Sequence, residues 1–430
     1  MEMTTLPTRE RLSEIYGNDP GIISYQADRY SKLAQSFMQR FPDAGSPLFF
    51  SAAGRSEIGG NHTDHQQGQV LAASLNIDSL AAVSPVPDNT ITLYSEGYDT
   101  YTIDLDNLDP VPSETGTTTA LIRGVASGFS KKGFKTGGFI AYVISDVLGG
   151  SGLSSSASFE SLIGVIFSGL YNNDSISCVD IAKIGQYAEN VFLGKPCGLM
   201  DQMACSVGGF VHIDFAKTKD VDPLFDDSYP AIEKIDFDPS DYGYCLVITD
   251  TKASHADLTD DYAAIPKEMK DVAHFFGKDV LSQVDENEFI RKIPDIRKSA
   301  GDRAIVRAIH FFEENKRVIS EARALQDDDF DAFLSAFSQS SRSSFEYLQN
   351  IYPSKDPGRQ AMSIALAVSD VFLSEGEKGY ARVHGGGFAG TIQTFVKTEF
   401  ADEYIQTMDA LLGDGSAQKH NIRRYGCIHI

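Results

Sequence analysis

The sequence predicts a two-domain α+β protein, and three observations predict it. At 430 residues the chain is long for a single core, so two domains are the default. Strand-type runs and helix-type periodicities occur in both halves, divided by an acidic, irregular stretch from Ala216 to Tyr242. A strand, a glycine loop and a helix also follow one another directly between Gly138 and Leu170. The boundary is placed in the acidic stretch, giving domains 1–220 and 221–430.

The strand–loop–helix unit carries most information. Gly138 to Ile144 is an apolar, β-branched run of strand length. After the loop, Phe159, Leu162, Ile163, Ile166, Phe167 and Leu170 recur at three- and four-residue spacing, one face of a helix. Between them lie Gly149, Gly150, Ser151, Gly152, Leu153, Ser154, Ser155 and Ser156. Glycines let the backbone turn tightly and approach a ligand, and serines suit a first helical turn. A helix N-terminus presents outward N–H groups and a partial positive charge, so the unit favours an anion, most simply a nucleotide's phosphates. No Lys follows the glycines, which excludes a Walker A loop.

The other elements follow in order. Residues 20–41 read as a helix, since Tyr30, Leu33, Ala34, Phe37, Met38 and Phe41 share a face, and Pro42 to Gly45 ends it. Leu48 to Ala53 reads as a buried strand leading into a polar loop, Gly54 to His65. Val70 to Ile77 returns as a strand, and Thr90–Tyr94 with Thr100–Leu105 reads as a hairpin. Helices are expected over Thr118–Phe129 and Cys178–Phe192, then a turn, a short helix from about Gly198, and a strand Phe210–Asp214. The second half has a strand at Tyr244–Thr249 and helices near Leu258–Phe275, Arg303–Leu325, Phe330–Ile351 and Arg359–Leu373. A glycine-rich hairpin over residues 379–397 comes last.

Composition narrows the function. With 37 basic and 60 acidic residues the net charge is −23, which argues against nucleic-acid binding. A phosphorylated ligand must then be held by local N–H groups and a metal ion against the global field. Five cysteines without CxxC spacing suit reduced thiols in the cytoplasm. The polar first twelve residues do not read as a signal peptide, and no apolar run has the length of a membrane span.

Three further stretches carry chemistry. Asp201 sits in a turn of small residues, where a carboxylate near a phosphate loop can orient a hydroxyl or take its proton; a helix-terminal Asp is the equal alternative. Arg55, Glu57, Asn61, His62 and Asp64 cluster within ten residues, a set that both donates and accepts, as sugar hydroxyls require. A solvated loop is the plainer reading, and a metal at His62, Asp64 and His65 lacks a supporting cluster. His384 to Gly390 matches GxGxxG formally, but a strand pattern follows it rather than a helix, so it reads as a glycine turn between strands. No GxSxG occurs, against a nucleophile-elbow hydrolase.

Taken together these stretches resemble the GHMP kinases, the family of galactokinase, homoserine kinase and mevalonate kinase, and within it the galactokinases. Gly54 to Asp64 is similar to their N-terminal signature and Gly150 to Ala157 to their ATP loop. Cys197 to Gln202 is similar to their catalytic stretch, His255 to Tyr262 to a sugar-side helix start, and Arg382 to Gly390 to their third glycine motif. The resemblance implies an N-terminal α/β domain like that of ribosomal protein S5 domain 2, a C-terminal ferredoxin-like domain, and an active site between them. It implies ATP and Mg²⁺ as cofactors, and a soluble, monomeric, cytoplasmic sugar 1-kinase making galactose 1-phosphate. By the same resemblance Asp201 and Arg55 are catalytic, Ser156 and Glu189 hold Mg²⁺, and Glu57, Asn61, His62, Asp64 and Tyr262 face the sugar.

The chain departs from that pattern. The family usually has Glu at position 61 and Asn at 57, and Leu148 and His65 replace a Pro and a Tyr. A neutral Asn61 no longer repels a carboxylate at C6, so galacturonate or another C6-modified galactose is an alternative substrate, unless Glu57 restores the acceptor. A non-catalytic sugar sensor is a second alternative, disfavoured by the complete serine loop and Asp201. A mevalonate- or homoserine-type kinase is a weaker third, disfavoured by His62-Thr63-Asp64.

Overall fold

The computed structural model of the chain describes residues 5–147, 152–195, 197–222, 227–254, 258–374 and 377–430, with the side chains of 217–222 and 227–229 left aside. The first half runs α1 (Arg9–Tyr16), α2 (Pro20–Arg40), β1 (Leu48–Gly59), β2 (Gln69–Pro85), β3 (Thr90–Ser95) and β4 (Thr100–Asp104). It continues with α3 (Thr118–Lys131), β5 (Phe139–Ser145), α4 (Ser155–Tyr171), α5 (Cys178–Tyr187), α6 (Met200–Val207), β6 (Phe210–Asp222) and β7 (Asp227–Ile235). The second half has β8 (Tyr244–Asp250), α7 (Thr259–Phe275), α8 (Glu286–Ser299), α9 (Asp302–Gln326), α10 (Phe330–Ser343) and α11 (Ala361–Leu373). It closes with β9 (Gly379–Val383), β10 (Thr391–Lys397), α12 (Ala401–Leu412), β11 (Ala417–His420) and β12 (Cys427–His429).

Two sheets result. The larger has the order β12-β1-β2-β5-β3-β4, with β6 also pairing β2 and β7 pairing β6; the smaller is β11-β8-β10-β9. One face of the large sheet buries Phe50, Val83, Leu93 and Phe139 against α3, α4 and α5. Its other face packs Phe49 and Leu80 against Tyr16, Tyr30 and Phe37 of the first two helices. The small sheet buries Val247, Val383 and Ile392 under α11 and α12. A phenylalanine seam joins the two: Phe210 of β6 meets Phe333 of α10, which meets Phe395 of β10. Aromatic edge-to-face contacts of this kind add to the burial itself.

Two expectations are corrected, and two further features carried no expectation. Gly54–Gly59 is strand rather than loop, because Arg55, Ser56 and Glu57 pair with Ser74, Ala73 and Ala72 of β2. The stretch 216–242 is largely a long β6–β7 hairpin, so a boundary at 220 falls inside β6. The large sheet also draws on 427–429, paired to Phe50–Ala52. Helices α1 and α8 were not expected: α1 is only eight residues long, and α8 carries Pro294 inside it and buries just Phe289 and Ile296. Among the described residues no helix is long and apolar enough to cross a membrane.

Candidate active site

Two bulges in β1, at Ala53/Arg55 and Glu57/Gly59, bracket the first signature residues. Bulges bend a strand and re-aim its side chains. Arg55 thereby reaches Asp201 with two parallel bonds, Nε to Oδ1 and Nη2 to Oδ2, both 2.8 Å. The Ser154 hydroxyl donates to the same Oδ2 at 2.7 Å. Arg55 is buried, whereas one third of the Asp201 side chain (33%) remains open. Burial works to raise the Asp201 pKa, but the Arg55 charge and its hydrogen bonds, helped by Ser154, win and hold the carboxyl below its ordinary value. Asp201 also lies in the first turn of α6, so the helix dipole adds to its ionisation.

The glycine loop meets this pair from the other side. Gly149, Gly150 and Ser151 lie outside the described residues. Gly152 turns the backbone at φ 75° and its carbonyl accepts from Arg55 Nη1. The Leu153 carbonyl accepts the Arg55 N–H at 3.2 Å, while its side chain is buried in the apolar core, so only its backbone belongs to the loop. Ser154 adopts φ 63° and makes no helix cap, contrary to the expectation for these serines. Its hydroxyl goes to Asp201 instead, so no Ser154 side-chain cap covers the start of α4. Ser155 and Ser156 line a cleft of about 290 Å³ with Tyr98, Tyr101, Phe159 and Leu193. Apolar and aromatic walls with a few hydroxyls suit a planar heterocycle leading to the helix N-terminus.

The second signature residues form a turn held by the second half. Gly60 N–H is taken by Glu314 and Asn61 C=O by His310, both on α9. Asn61, His62 and Tyr262 converge on three successive carbonyls of the glycine turn: Asn61 Nδ2 donates to Gly385 (2.6 Å), His62 Nε2 meets Gly386 (3.0 Å), and Tyr262 O–H donates to Gly387 (2.7 Å). Burial keeps His62 neutral by lowering its pKa. With Nε2–H on Gly386, its Nδ1 is left as an acceptor. Asp64 points its Oδ2 to 3.3 Å from where a Cβ on Gly198 would stand, beside the stretch that carries Asp201.

Asn61 and Glu57 do not present themselves to a ligand here. Asn61 is fully buried (0%). Its amide nitrogen also reaches Glu57 Oε1 at 2.9 Å, and its oxygen accepts from Asn350 at 2.7 Å. Glu57 is itself buried and faces Arg382 at 3.4 Å. Burial pushes its pKa up to about 7 against the pull of Arg382. Glu189 is also buried, with Lys195 Nζ at 3.2 Å and Gln202 Nε2 at 3.0 Å on its two oxygens. Arg382, Asn350, His384 and Lys195 carried no role in the sequence reading. Only the neighbourhood of the glycine motif, in Arg382-Val-His384, gave a signal for two of them.

Comparison with known proteins finds similarity in sequence and in fold. Residues 120–209 match the GHMP kinases N terminal domain and residues 35–85 the galactokinase galactose-binding signature. The chain is 28% identical to a galactokinase of Actinobacillus pleuropneumoniae serotype 3 over 400 residues, 90% of this chain and 94% of that one. It is 29% identical to a galactokinase of Bacillus subtilis over 398 residues, 91% and 95% of the two chains. The fold matches Lactococcus lactis galactokinase solved with galactose at TM-score 0.74 and 22% identity, covering 93% and 99% of the chains. Methanococcus jannaschii mevalonate kinase matches at TM-score 0.59 and 15% identity, covering 88% and 99%. By fold, by signature and by motif order, the chain is similar to the GHMP kinases.

Proposed function

We propose that the protein is a galactokinase, moving the γ-phosphoryl group of ATP to the anomeric hydroxyl of galactose. The observation that carries the reading is the Arg55–Asp201–Ser154 constellation at the start of α4, beside an apolar cleft of nucleotide dimensions. In it the sugar's hydroxyl donates to the open part of Asp201 and attacks the phosphoryl group in line. The new oxygen–phosphorus bond forms, the bond to ADP breaks, and the proton passes to the carboxylate. A carboxyl held below its ordinary pKa is a weak base, so Asp201 chiefly aligns the hydroxyl and takes its proton late. Arg55 stabilises the charge developing on that oxygen, and the rest of the rate comes from positioning. His62, through Nδ1, and Asp64 and Tyr262 serve as the sugar's hydrogen-bonding wall.

Mg²⁺ belongs to this reading. The Ser156 hydroxyl lines the cleft and would offer a hard oxygen donor, whereas Glu189 holds Lys195 and Gln202 on its two oxygens and would have to release Lys195 to bind the ion. Among the described residues no group of three or more acidic, His or Cys side chains is poised for a metal, so phosphate oxygens and water must complete the shell. Held there, Mg²⁺ would supply charge neutralisation at the phosphates. The protein's free thiols fit a cytoplasmic enzyme.

The Asn61 amide that favoured a C6 acid is engaged by protein partners, which leaves C6 to His62 and supports galactose itself. The intact catalytic pair favours an enzyme over a sensor. ADP release with ATP, Mg²⁺ and a panel of hexoses and uronic acids tests this. Galactose is expected to give the highest kcat/KM, and a preference for galacturonate would overturn the substrate assignment. No release with any sugar, despite sugar binding, would mark a sensor.

A further inference from the structure

The glycine turn does two jobs, and its sugar side accounts for only one. The carbonyls of Gly385, Gly386 and Gly387 organise Asn61, His62 and Tyr262. On the other side stands His384, the last residue before the turn. Its backbone N–H donates to the Thr391 carbonyl at 3.1 Å, and its ring Nδ1 lies 2.7 Å from the Thr391 hydroxyl. This pair packs on the ATP loop: a Cβ built on Gly152 would meet Thr391 Oγ1 at 3.4 Å and the His384 ring at 3.8 Å. Gly152 and Leu153 are the two residues whose carbonyls hold Arg55.

We propose, on the kinase reading above, that His384 is a positioning residue: with Thr391 it braces Gly152 from the second sheet and so fixes both the ATP loop and the Arg55 clamp on Asp201. The ring is 3% exposed, and its Nε2 is sealed from solvent with no partner among the described residues. An atom so enclosed does not reach a ligand, and His384 therefore acts through Gly152. Its chemistry fits the place. Burial first, then the guanidiniums of Arg55 and Arg382, push its pKa down to about 3, so the ring is neutral at working pH. His420, also buried, is neutral beside it. A flat uncharged ring fills the space without competing with Arg55 for Asp201, as a third cation would.

The test compares His384→Ala, His384→Asn and Thr391→Val, with ATP and galactose varied separately and each substrate's Kd measured by calorimetry. Removing the brace is expected to raise KM and Kd for ATP about tenfold and lower kcat severalfold, with galactose Kd within about twofold of the parent. The amide of His384→Asn still reaches Thr391 Oγ1 and should recover most of the loss. A residue that merely fills the core would lower thermal stability without splitting the two substrates. Unchanged ATP constants in a folded His384→Ala, or equal weakening of both substrates, overturns the proposal. Should that variant not fold, Thr391→Val must show the same split, and its absence overturns the proposal equally. If the parent turns over no sugar, the kinase reading fails, while ATP Kd still decides whether His384 braces the loop.

Discussion

Ser154 offers the sharpest test of the proposed catalytic arrangement, because two of its roles pull in opposite directions. Its hydroxyl donates to Asp201 Oδ2 at 2.7 Å, and its backbone holds φ 63°. A hydrogen bond to a charged group is worth about 1.5–3 kcal/mol. Because 33% of the Asp201 side chain is open to solvent, the low end applies, roughly 1.5 kcal/mol, or about tenfold in rate. The left-handed backbone costs any residue with a Cβ about 1–2 kcal/mol. Ser154→Ala keeps that strain and loses the hydroxyl. Ser154→Gly loses the hydroxyl and sheds the strain, less the extra freedom glycine has when unfolded, for a net gain below about 1 kcal/mol. Both variants should therefore lose about tenfold in kcat/KM by ADP release, while Ser154→Gly melts at or above the parent and Ser154→Ala at or below it. If either variant stayed within twofold of parental kcat/KM, the bond to Asp201 would not contribute to catalysis, and the reasoning would be refuted.

Three other outcomes are expected. Asp201→Asn should lose 10²–10⁴-fold in turnover, the usual share of a positioned proton acceptor, and still bind galactose by calorimetry; retained turnover would remove Asp201 from the chemistry. Glu57 has a folded-state pKa of about 7, raised by burial from 4.5, so its contribution to stability is full below pH 4.5 and is lost as pH rises towards 7. Glu57→Gln carries no such proton, and its melting temperature should fall less than the parent's between pH 5 and 7; parallel curves would mean Glu57 ionises normally. Gly60→Ala would set a Cβ 2.4 Å from the Gln69 carbonyl oxygen at φ 89°, two backbone-level conflicts that should destabilise by more than about 3 kcal/mol. Melting within about 2 °C of the parent would show that the turn yields.

The sequence by itself determined the elements with strong local signals and the family they resemble. The periodicity of 159–170, the strands flanking the glycine loops, and five motifs in order were enough for the α+β class and for Arg55 and Asp201 as a pair. Those signals are local because hydrophobic period and turn chemistry act over a few residues. Tertiary structure decided how the polar residues divide their labour. Ser154 reads as a phosphate-loop serine, yet its hydroxyl faces Asp201, 47 residues away. Asn61 reads as a sugar contact, yet Asn350, 289 residues later, takes its oxygen and Gly385 its amide. His384 reads as part of a glycine turn, yet its ring packs on Gly152. A hydroxyl, amide or imidazole has several capable partners. Which one it finds depends on which distant backbone burial brings within 3 Å, and no local pattern encodes that.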